Sequence, residues 1–495
     1  MKTQSIIAAS RAKLDVELNV IDGKIPKDIH GLVYAMSPSG TTNSNGLPYP
    51  EYYPDKEYNR EYGSHIMNGD GVVLCLDFNN SSGVRLKTDL MKTPCFYADE
   101  ATGRNGALAD KKRYWEYRFH NMGIARMSFG IGARNELNTA VVPFIRKGEK
   151  TARLLATYDV GRPFEFDPVT FKLTTPVGRN SDWTAATPAF MNGAFPLVEG
   201  TAHPSFDPNT NELFVTNYTR GMKNMLSSIH FFNSMRKYPE LIEQDLEKHL
   251  EAHRDVGDDE FIEKLDMFYK NAHEKIHRHK SFINRAFDKM EHAMLEAFSK
   301  LKQFGEKIIP GNEVFLMKWD ANTGETLKWK LVDENNKDLI IRQCMHQTGF
   351  TKDYVILMDS SFKFNMDGLI SNPFPHNAKI DELIRERTAR PMAPRTETFL
   401  VNRSDLVAGK KEVVVKTLNP SLPLECIHFS ANYENPDNII TFYTADNSAN
   451  CVAEWLRPYD HLGTDNNQPI EKDLIGMLAS GNMDVCRVGK FVVDA

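Results

Sequence analysis

The chain of 495 residues lacks the features that would assign it to a membrane, secreted or nucleic-acid-binding class. It has no run of about 18 apolar residues, the length that a membrane-spanning helix needs. Residues 1–14 are polar and lack the apolar centre of a secretory signal. The formal net charge of −6 gives no reason to expect nucleic acid as a partner. We therefore expect a cytoplasmic protein with no transmembrane segment.

Cysteine is scarce, and its six residues form no Cys-x-x-Cys pair. They are scattered along the chain as Cys75, Cys95, Cys344, Cys426, Cys451 and Cys486. In a chain of this length such cysteines indicate reduced thiols of a cytosolic protein rather than a disulfide framework. Apolar residues, by contrast, make up 41% of the sequence, which is enough for a large core.

Glycine and proline are rare in residues 222–312, although short apolar runs broken by these residues fill the rest of the chain. Between Ile283 and Phe304 apolar residues recur at spacings of three and four, which predicts an amphipathic helix. Two shorter helices are predicted before it. We therefore divide the chain into two β-rich parts and a helical module between them: residues 1–221, 222–312 and 313–495.

Three histidines occupy equivalent places in three predicted hairpins. His203 stands before Pro204 and an Asp-Pro-Asn-Thr turn that leads into an apolar strand. His346 and His428 also precede turns that lead into apolar strands. One such histidine is more often structural than a metal ligand. Three of them suggest repeats that converge on an axis, as the inner strands of a β-propeller do.

With these three motifs the chain resembles the carotenoid cleavage oxygenases, the family of apocarotenoid oxygenases, the retinal-pigment-epithelium isomerase and lignostilbene dioxygenases. Residues 23–34 resemble the N-terminal signature of that family, and residues 65–73 resemble its His-x-Phe-Asp-Gly-Asp-Gly-Met segment. The resemblance covers residues 20–220 and 313–495. It implies an all-β fold, a seven-bladed β-propeller that is incomplete at its C-terminal end and carries an inserted α-helical module.

The resemblance also implies the site residues. It assigns Fe(2+) as the cofactor and three metal ligands, His203, His346 and His428. Asp159 stands where the family has a glutamate that accepts a hydrogen bond from an iron-bound histidine, which raises the basicity of that ligand. Thr139 matches a residue close to the vacant position of the iron. No catalytic residue is implied beyond the metal ligands. From the residues alone, Asp159 is equally well explained as the end of a strand.

The implied activity is that of an iron(II) dioxygenase, which cleaves a conjugated carbon–carbon double bond of a carotenoid or apocarotenoid with O2 to give two carbonyl products. Relatives supply a fourth histidine beyond the place where this chain ends, and His461 lacks its motif. Metal affinity should be weaker with three ligands. The alternative is a catalytically impaired, truncated propeller that binds an apolar ligand or a protein partner. A zinc hydrolase that uses the same histidines is a weaker explanation, because the sequence shows no general base placed beside them.

Substrate class and membrane contact depend on two further places. Lignostilbene-cleaving relatives tend to carry a lysine where this chain has Tyr158, which favours a polyene substrate and keeps a lignostilbene-type dioxygenase as the second alternative. Residues 119–131 combine apolar side chains with basic neighbours, including Arg126 and Arg134. This pattern predicts either a peripheral membrane contact or an ordinary loop.

Overall fold

The computed structural model of this protein is mostly β-sheet, which confirms the all-β class. It describes residues 11–42, 65–79, 83–103, 106–128, 130–187, 192–221, 311–360, 362, 382, 385, 393, 395–423, 425–447, 454–462, 468–471, 474–477 and 487–495. The predicted helical module, residues 222–312, lies outside the described residues apart from its last two positions.

The described residues contain 26 β-strands and one α-helix. The helix, α1 (Pro94–Thr102), begins with proline at its first turn, and the Thr93 side chain accepts a hydrogen bond from Phe96 N–H as its cap. Short 3₁₀ helices lie at Ile66–Asn68, Lys112–Tyr117, Asn180–Asp182, Arg403–Asp405 and Pro436–Asn438.

The first half of the chain forms two four-stranded antiparallel sheets with a small sheet between them. The strands of the first sheet are β1 (Asp15–Leu18), β2 (Leu32–Pro38), β3 (Gly71–Asp77) and β4 (Val84–Leu90), in the order β1-β4-β3-β2. The small sheet consists of β5 (His120–Met122), β6 (Ala125–Ser128) and β7 (Gly132–Ala133). The second sheet consists of β8 (Ala140–Phe144), β9 (Arg153–Thr157), β10 (Phe164–Phe166) and β11 (Leu173–Pro176), in the order β11-β10-β9-β8.

The third sheet spans the gap in the described residues. Its strands are β12 (Glu199–Gly200), β13 (Ser205–Asp207), β14 (Glu212–Thr219), β15 (Glu313–Asp320) and β16 (Thr326–Val332). Strands β14, β15 and β16 are antiparallel neighbours, and both β12 and β13 pair with β14.

Most of the remaining strands form a fourth and a fifth sheet. They are β17 (Thr348–Phe350), β18 (Tyr354–Met358), β19 (Arg395–Thr396), β20 (Thr398–Asn402), β21 (Glu412–Val414), β22 (Lys416–Thr417), β23 (Leu422–Pro423), β24 (Glu425–Ala431), β25 (Ile439–Asn447) and β26 (Arg487–Asp494). The fourth sheet has the order β17-β18-β20-β22 and the fifth has the order β24-β25-β26. Strand β21 joins the third sheet beside β16, and β19 pairs with β23.

Each of the five sheets packs on the next one in chain order. Alternate side chains of a strand point to opposite faces, so β18 buries Val355 and Leu357 against the third sheet and Ile356 and Met358 against the fifth. The four intersheet clusters include, in chain order, Val73 with Phe166, Leu155 with Val215, Leu316 with Leu357, and Ile356 with Phe442. Within the described ranges every sheet is open, because no strand order closes on itself.

The strands on either side of the undescribed segment are direct hydrogen-bonded neighbours. Thr219 at the end of β14 pairs with Glu313 at the start of β15. Gly221 N–H donates to Asn312 Oδ1 at 2.7 Å, and Thr219 Oγ1 donates to Gly311 O at 2.8 Å. The chain therefore leaves the third sheet and returns to it at one place.

The predicted membrane contact through residues 119–131 would require exposed apolar side chains, and some of these side chains are not exposed. Phe119 and Ile124 are buried. The prediction of a basic fringe around them is also partly wrong, because Arg126 and Arg134 are buried in ion pairs with Asp99 of α1. A membrane contact through this region stays a prediction that rests on its half-buried side chains, among them Met122 and Met127. The described residues contain no helix whose length and apolar character would let it cross a membrane.

Candidate metal centre

His203 joins the third sheet to the fourth. It lies between β12 and β13, and the following proline favours the extended backbone that it adopts there. Its N–H donates to His346 O at 3.1 Å, and its carbonyl accepts from Thr348 N–H at 3.1 Å. The backbone at His203 is thus fixed directly beside His346, which lies two residues before β17, the first strand of the fourth sheet.

His428 lies on β24, the first strand of the fifth sheet, beside a β-bulge. The pairing of β24 with β25 shifts between Cys426 and His428, so Ile427 has no partner residue opposite it. A bulge turns the strand locally and re-aims the side chains that follow it. The bulge therefore contributes to the direction in which His428 points.

The three histidine rings come together where these sheets meet. The ring centroid of His203 lies 4.8 Å from that of His346 and 4.6 Å from that of His428. The centroids of His346 and His428 are 5.1 Å apart. One ring nitrogen from each histidine lies within 4.8 Å of the others. Imidazole nitrogens bind a divalent metal at about 2.0–2.2 Å. The three nitrogens are thus close enough to share one ion.

Electrostatics keep the cluster in the form that binds metal. Burial, followed by the nearby rings of His346 and His428, lowers the pKa of His203 to about 2. Burial and the His346 ring lower the pKa of His428 to about 4. Both rings are therefore neutral at physiological pH, and neutral imidazole is the metal ligand.

Asp159 holds His346 from the end of β9. His346 Nδ1 lies 2.9 Å from Asp159 Oδ1 and 3.2 Å from Oδ2. A carboxylate accepts hydrogen bonds, so this contact places the proton on Nδ1 and leaves the His346 Nε2 lone pair for a metal. Although Asp159 is one methylene shorter than the glutamate that the resemblance implies, it reaches the ring.

His428 is held by a residue that the sequence analysis did not single out. His428 Nδ1 lies 3.0 Å from Gln347 Oε1, which also accepts from Phe429 N–H at 3.2 Å. The Gln347 side-chain amide donates in turn to Phe429 O at 2.5 Å. Nothing in the sequence around Gln347 indicates that its side chain contacts β24, which is distant in the chain.

Two further neighbours of His346 also escaped sequence reasoning. The Phe362 ring stacks on the His346 ring with centroids 5.1 Å apart and an interplanar angle of 26°. The Cys344 thiol lies 3.8 Å from Asp159 Oδ1 and accepts a hydrogen bond from Tyr218 O–H at 3.2 Å. Burial raises the pKa of Cys344 well above its usual value, so the thiol stays protonated.

Thr139 lies one strand away from the histidines. Its N–H donates to Thr157 O at 3.1 Å, and its hydroxyl donates to Asn138 Oδ1 at 3.2 Å. The Thr157 hydroxyl donates to the carbonyl of Ala202, the residue before His203. Thr139 is therefore linked to the His203 segment through Thr157, and its place beside a vacant metal position stays a prediction.

The donor set fits a divalent first-row transition metal. Imidazole nitrogens suit iron, zinc, copper and nickel, whereas calcium and magnesium require oxygen ligands. In the part of the chain that the structure describes, this group consists of three histidines, and a second group joins Asp159 and Cys344 to His346. The residues present can therefore hold a metal ion, and the donor chemistry alone does not select iron over zinc.

The solved structures that this chain matches include two forms of one enzyme and a further oxygenase. An apocarotenoid oxygenase from Synechocystis with a glutamate-to-aspartate substitution is 13% identical, over 98% of this chain and 69% of its own, with a TM-score of 0.44. A cobalt-substituted Synechocystis enzyme is 14% identical, over 99% and 69%, with a TM-score of 0.45. The lignostilbene dioxygenase of Pseudomonas brassicacearum is 14% identical, over 99% and 66%, with a TM-score of 0.43. A search of curated proteins found no match.

The family described as retinal pigment epithelial membrane protein matches residues 7–253, about half of this chain. The matched range contains His203, Asp159 and Thr139. Its other motifs, at residues 23–34 and 65–73, fall in the same range. The chain belongs to the carotenoid cleavage oxygenase family.

Proposed function

We propose that this protein is an oxygenase that binds Fe(2+) through His203, His346 and His428 and cleaves a conjugated double bond of an apolar polyene with O2. The convergence of three imidazoles on one point, with burial lowering the pKa of both His203 and His428, is the observation that supports this function. Iron(II) bound there would supply the redox chemistry that activates O2. Both oxygen atoms enter the two carbonyl products, so no external reductant is needed.

The side chains around the cluster act on the ligands rather than on the substrate. Asp159 and Gln347 hold the protons of His346 and His428 on Nδ1, so that Nε2 of each ring is available. Phe362 covers one face of His346. Because the three ligands are neutral, the charge of a divalent ion is partly balanced through Asp159, which raises the basicity of His346.

A carotenoid or apocarotenoid is the favoured substrate class. At the place where stilbene-cleaving relatives tend to carry a lysine, this chain has Tyr158, which is buried in the central apolar cluster. Burial raises the pKa of its phenol well above the usual value, so the side chain stays neutral. A lignostilbene-type reaction is the second candidate, and the apocarotenoid and stilbene substrates can be compared in one assay.

The same proposal extends to the architecture. Five sheets that pack on one another in chain order, with His203 between β12 and β13, His346 before β17 and His428 on β24, agree with blades of a seven-bladed propeller. Domain boundaries at 1–221, 222–312 and 313–495 agree with the direct pairing of β14 and β15. The propeller would then hold the site, and the helical module would lie outside it.

The test is metal analysis followed by turnover. The purified protein is loaded with Fe(2+) without oxygen, its bound iron is counted, and O2-dependent cleavage of an apocarotenal and of a stilbene is measured. We expect one iron per chain when Fe(2+) is in excess, loss of iron in His346→Ala, and aldehyde products from the apocarotenal. Binding of the apocarotenal without iron or cleavage would instead favour the non-catalytic alternative.

A further inference from the structure

The Gln347 side chain lies in a place where each of its atoms has only one possible role. Its amide group faces the backbone N–H of Phe429, which can only donate, and the backbone carbonyl of Phe429, which can only accept. The atom facing the N–H must therefore be Oε1, and the atom facing the carbonyl must be Nε2. The orientation of the amide follows from the backbone of β24 alone.

The protonation of His428 follows from that orientation. Since Oε1 is an acceptor, the His428 Nδ1 atom 3.0 Å away must carry a hydrogen. A neutral imidazole has one N–H, so its Nε2 atom carries the lone pair. A histidine without this partner is free to adopt either tautomer, and only one of them presents Nε2 to a metal.

Gln347 also belongs to a segment that contacts all three histidines. His346 O and Thr348 N–H hold the backbone of His203, with both distances at 3.1 Å. Thr348 Oγ1 accepts from Ser205 N–H at 2.9 Å, which fixes the same segment to β13. Gln347 stands between these two anchored residues, so its side chain starts from a fixed backbone.

The approach of β24 to this segment depends on a glycine. A Cβ atom at Gly349 would lie 2.4 Å from Cε2 of the Phe429 ring. Because Gly349 has no side chain, Phe429 can sit close to β17 with its N–H and carbonyl within reach of Gln347. The contact between Gln347 and His428 is therefore built into the packing of the fourth sheet on the fifth.

We propose that Gln347 is a positioning residue of the metal centre, which holds His428 in the Nδ1–H tautomer with Nε2 available as a ligand. The inference rests on the proposed metal site. It assigns to a neutral amide on His428 the task that the Asp159 carboxylate performs on His346. An amide orients its histidine without adding negative charge to it, so the two ligands differ in basicity.

The experiment compares Gln347→Leu and Gln347→Glu with the unaltered protein. Gln347→Leu removes the acceptor, whereas Gln347→Glu keeps an acceptor for His428 Nδ1 and Phe429 N–H and donates to Phe429 O only when its carboxyl is protonated. Gln343→Leu is the control, because Gln343 is a buried glutamine four residues earlier whose amide bonds Ser360 O and Ala393 N–H instead of a histidine. Imidazole ¹⁵N NMR of the metal-free proteins reports the tautomer of His428, and titration with Co(2+) reports affinity.

We expect His428 to be an Nδ1–H tautomer in the unaltered protein, in Gln347→Glu and in Gln343→Leu, and a mixture of tautomers in Gln347→Leu. Co(2+) affinity should fall about 10–100-fold in Gln347→Leu, the usual effect of losing such a partner, and should be recovered at least in part by glutamate. Unchanged tautomer and affinity in Gln347→Leu would overturn the proposal, as would an equal loss of affinity in Gln343→Leu.

The proposed function and the positioning role of Gln347 can be contradicted independently of each other. If the unaltered protein binds no Co(2+) or Fe(2+) while the tautomer of His428 still depends on Gln347, the proposed function is wrong and the positioning role is supported. If the metal binds and the tautomer is independent of Gln347, the positioning role is wrong and the proposed function is supported.

Discussion

His346 and His428 belong to one cluster but are held by opposite kinds of partner. Asp159, from the second sheet, offers His346 a buried carboxylate, whereas Gln347, from the fourth sheet, offers His428 a neutral amide. Each partner fixes the same tautomer. The comparison teaches that geometry and charge are separable at this site, because two histidines with the same protonated nitrogen have partners of unequal charge.

The cost of losing each contact differs as well. A buried carboxylate without a partner has a large desolvation penalty, whereas Gln347 keeps its bonds to the Phe429 backbone when His428 is absent. The His346 side of the cluster should therefore be more sensitive to substitution. The predictions that follow break or sharpen this difference, from the largest effect to the smallest.

Removing each imidazole in turn should give the largest difference. We expect His346→Ala and His428→Ala each to abolish tight metal binding. His346→Ala should in addition destabilise the metal-free protein by about 1–3 kcal/mol more than His428→Ala, since it leaves Asp159 buried without its main partner. Urea unfolding of the two metal-free variants measures this difference, and equal stabilities would contradict it.

Replacing the Asp159 carboxylate by an amide, so that both His346 and His428 have amide partners, should lower metal affinity rather than the stability of the fold. In Asp159→Asn the contact with His346 keeps its size but loses its charge, and we expect Co(2+) affinity to fall about 10–100-fold. Asp359→Asn is the control, because Asp359 is also buried but accepts from the backbone N–H groups of Arg342 and Gln343. Competition with a coloured chelator measures both, and an equal fall in the control would show that any buried aspartate has this effect.

The sequence predicted the three histidines of the cluster because each histidine motif is local. His203, His346 and His428 each stand beside a turn and an apolar strand, so a repeat is visible along the chain. Asp159 was visible as a carboxylate that ends the apolar run of β9.

The parts that the sequence did not predict depend on contacts between distant residues. Gln347 is adjacent to His346 in the chain but bonds His428, which lies 81 residues further on. Arg126 was interpreted as part of a membrane-facing fringe, although it is buried against Asp99, which lies 27 residues earlier. No local pattern reports which element will supply the partner, because tertiary packing decides it.

The pH dependence of stability separates His428 from an ordinary histidine. Its pKa is about 4 in the folded, metal-free protein, whereas an unfolded histidine has a pKa of about 6.5. Between these values the unfolded chain binds more protons, so the free energy of unfolding should decrease as the pH falls through this window and level off above it. His203, with a pKa of about 2, extends the same effect to lower pH.

Urea unfolding of the metal-free protein at pH 7, 5.5 and 4.5 measures this effect. His428→Gln, which cannot titrate, should lose less stability over that range than the unaltered protein. NMR titration of the His428 ring provides a direct control, with a midpoint expected near 4. An identical pH dependence of the two proteins would show that His428 is not responsible.

The smallest effect on the metal centre is expected from deletion of the segment between β14 and β15. Replacing residues 225–308 by a short linker should leave the metal centre intact, because β14 and β15 are paired directly beside the point of departure. His203 is fixed by β13 and by the His346 segment, which do not depend on that connection for their hydrogen bonds. We expect a folded protein whose Co(2+) affinity matches that of the full chain within a few-fold. The same deletion with His203→Ala should bind no Co(2+), which confirms that the assay reports this site. An insoluble or metal-free deletion protein would mean that residues 225–308 support the third sheet, and the division of the chain at 222–312 would be wrong.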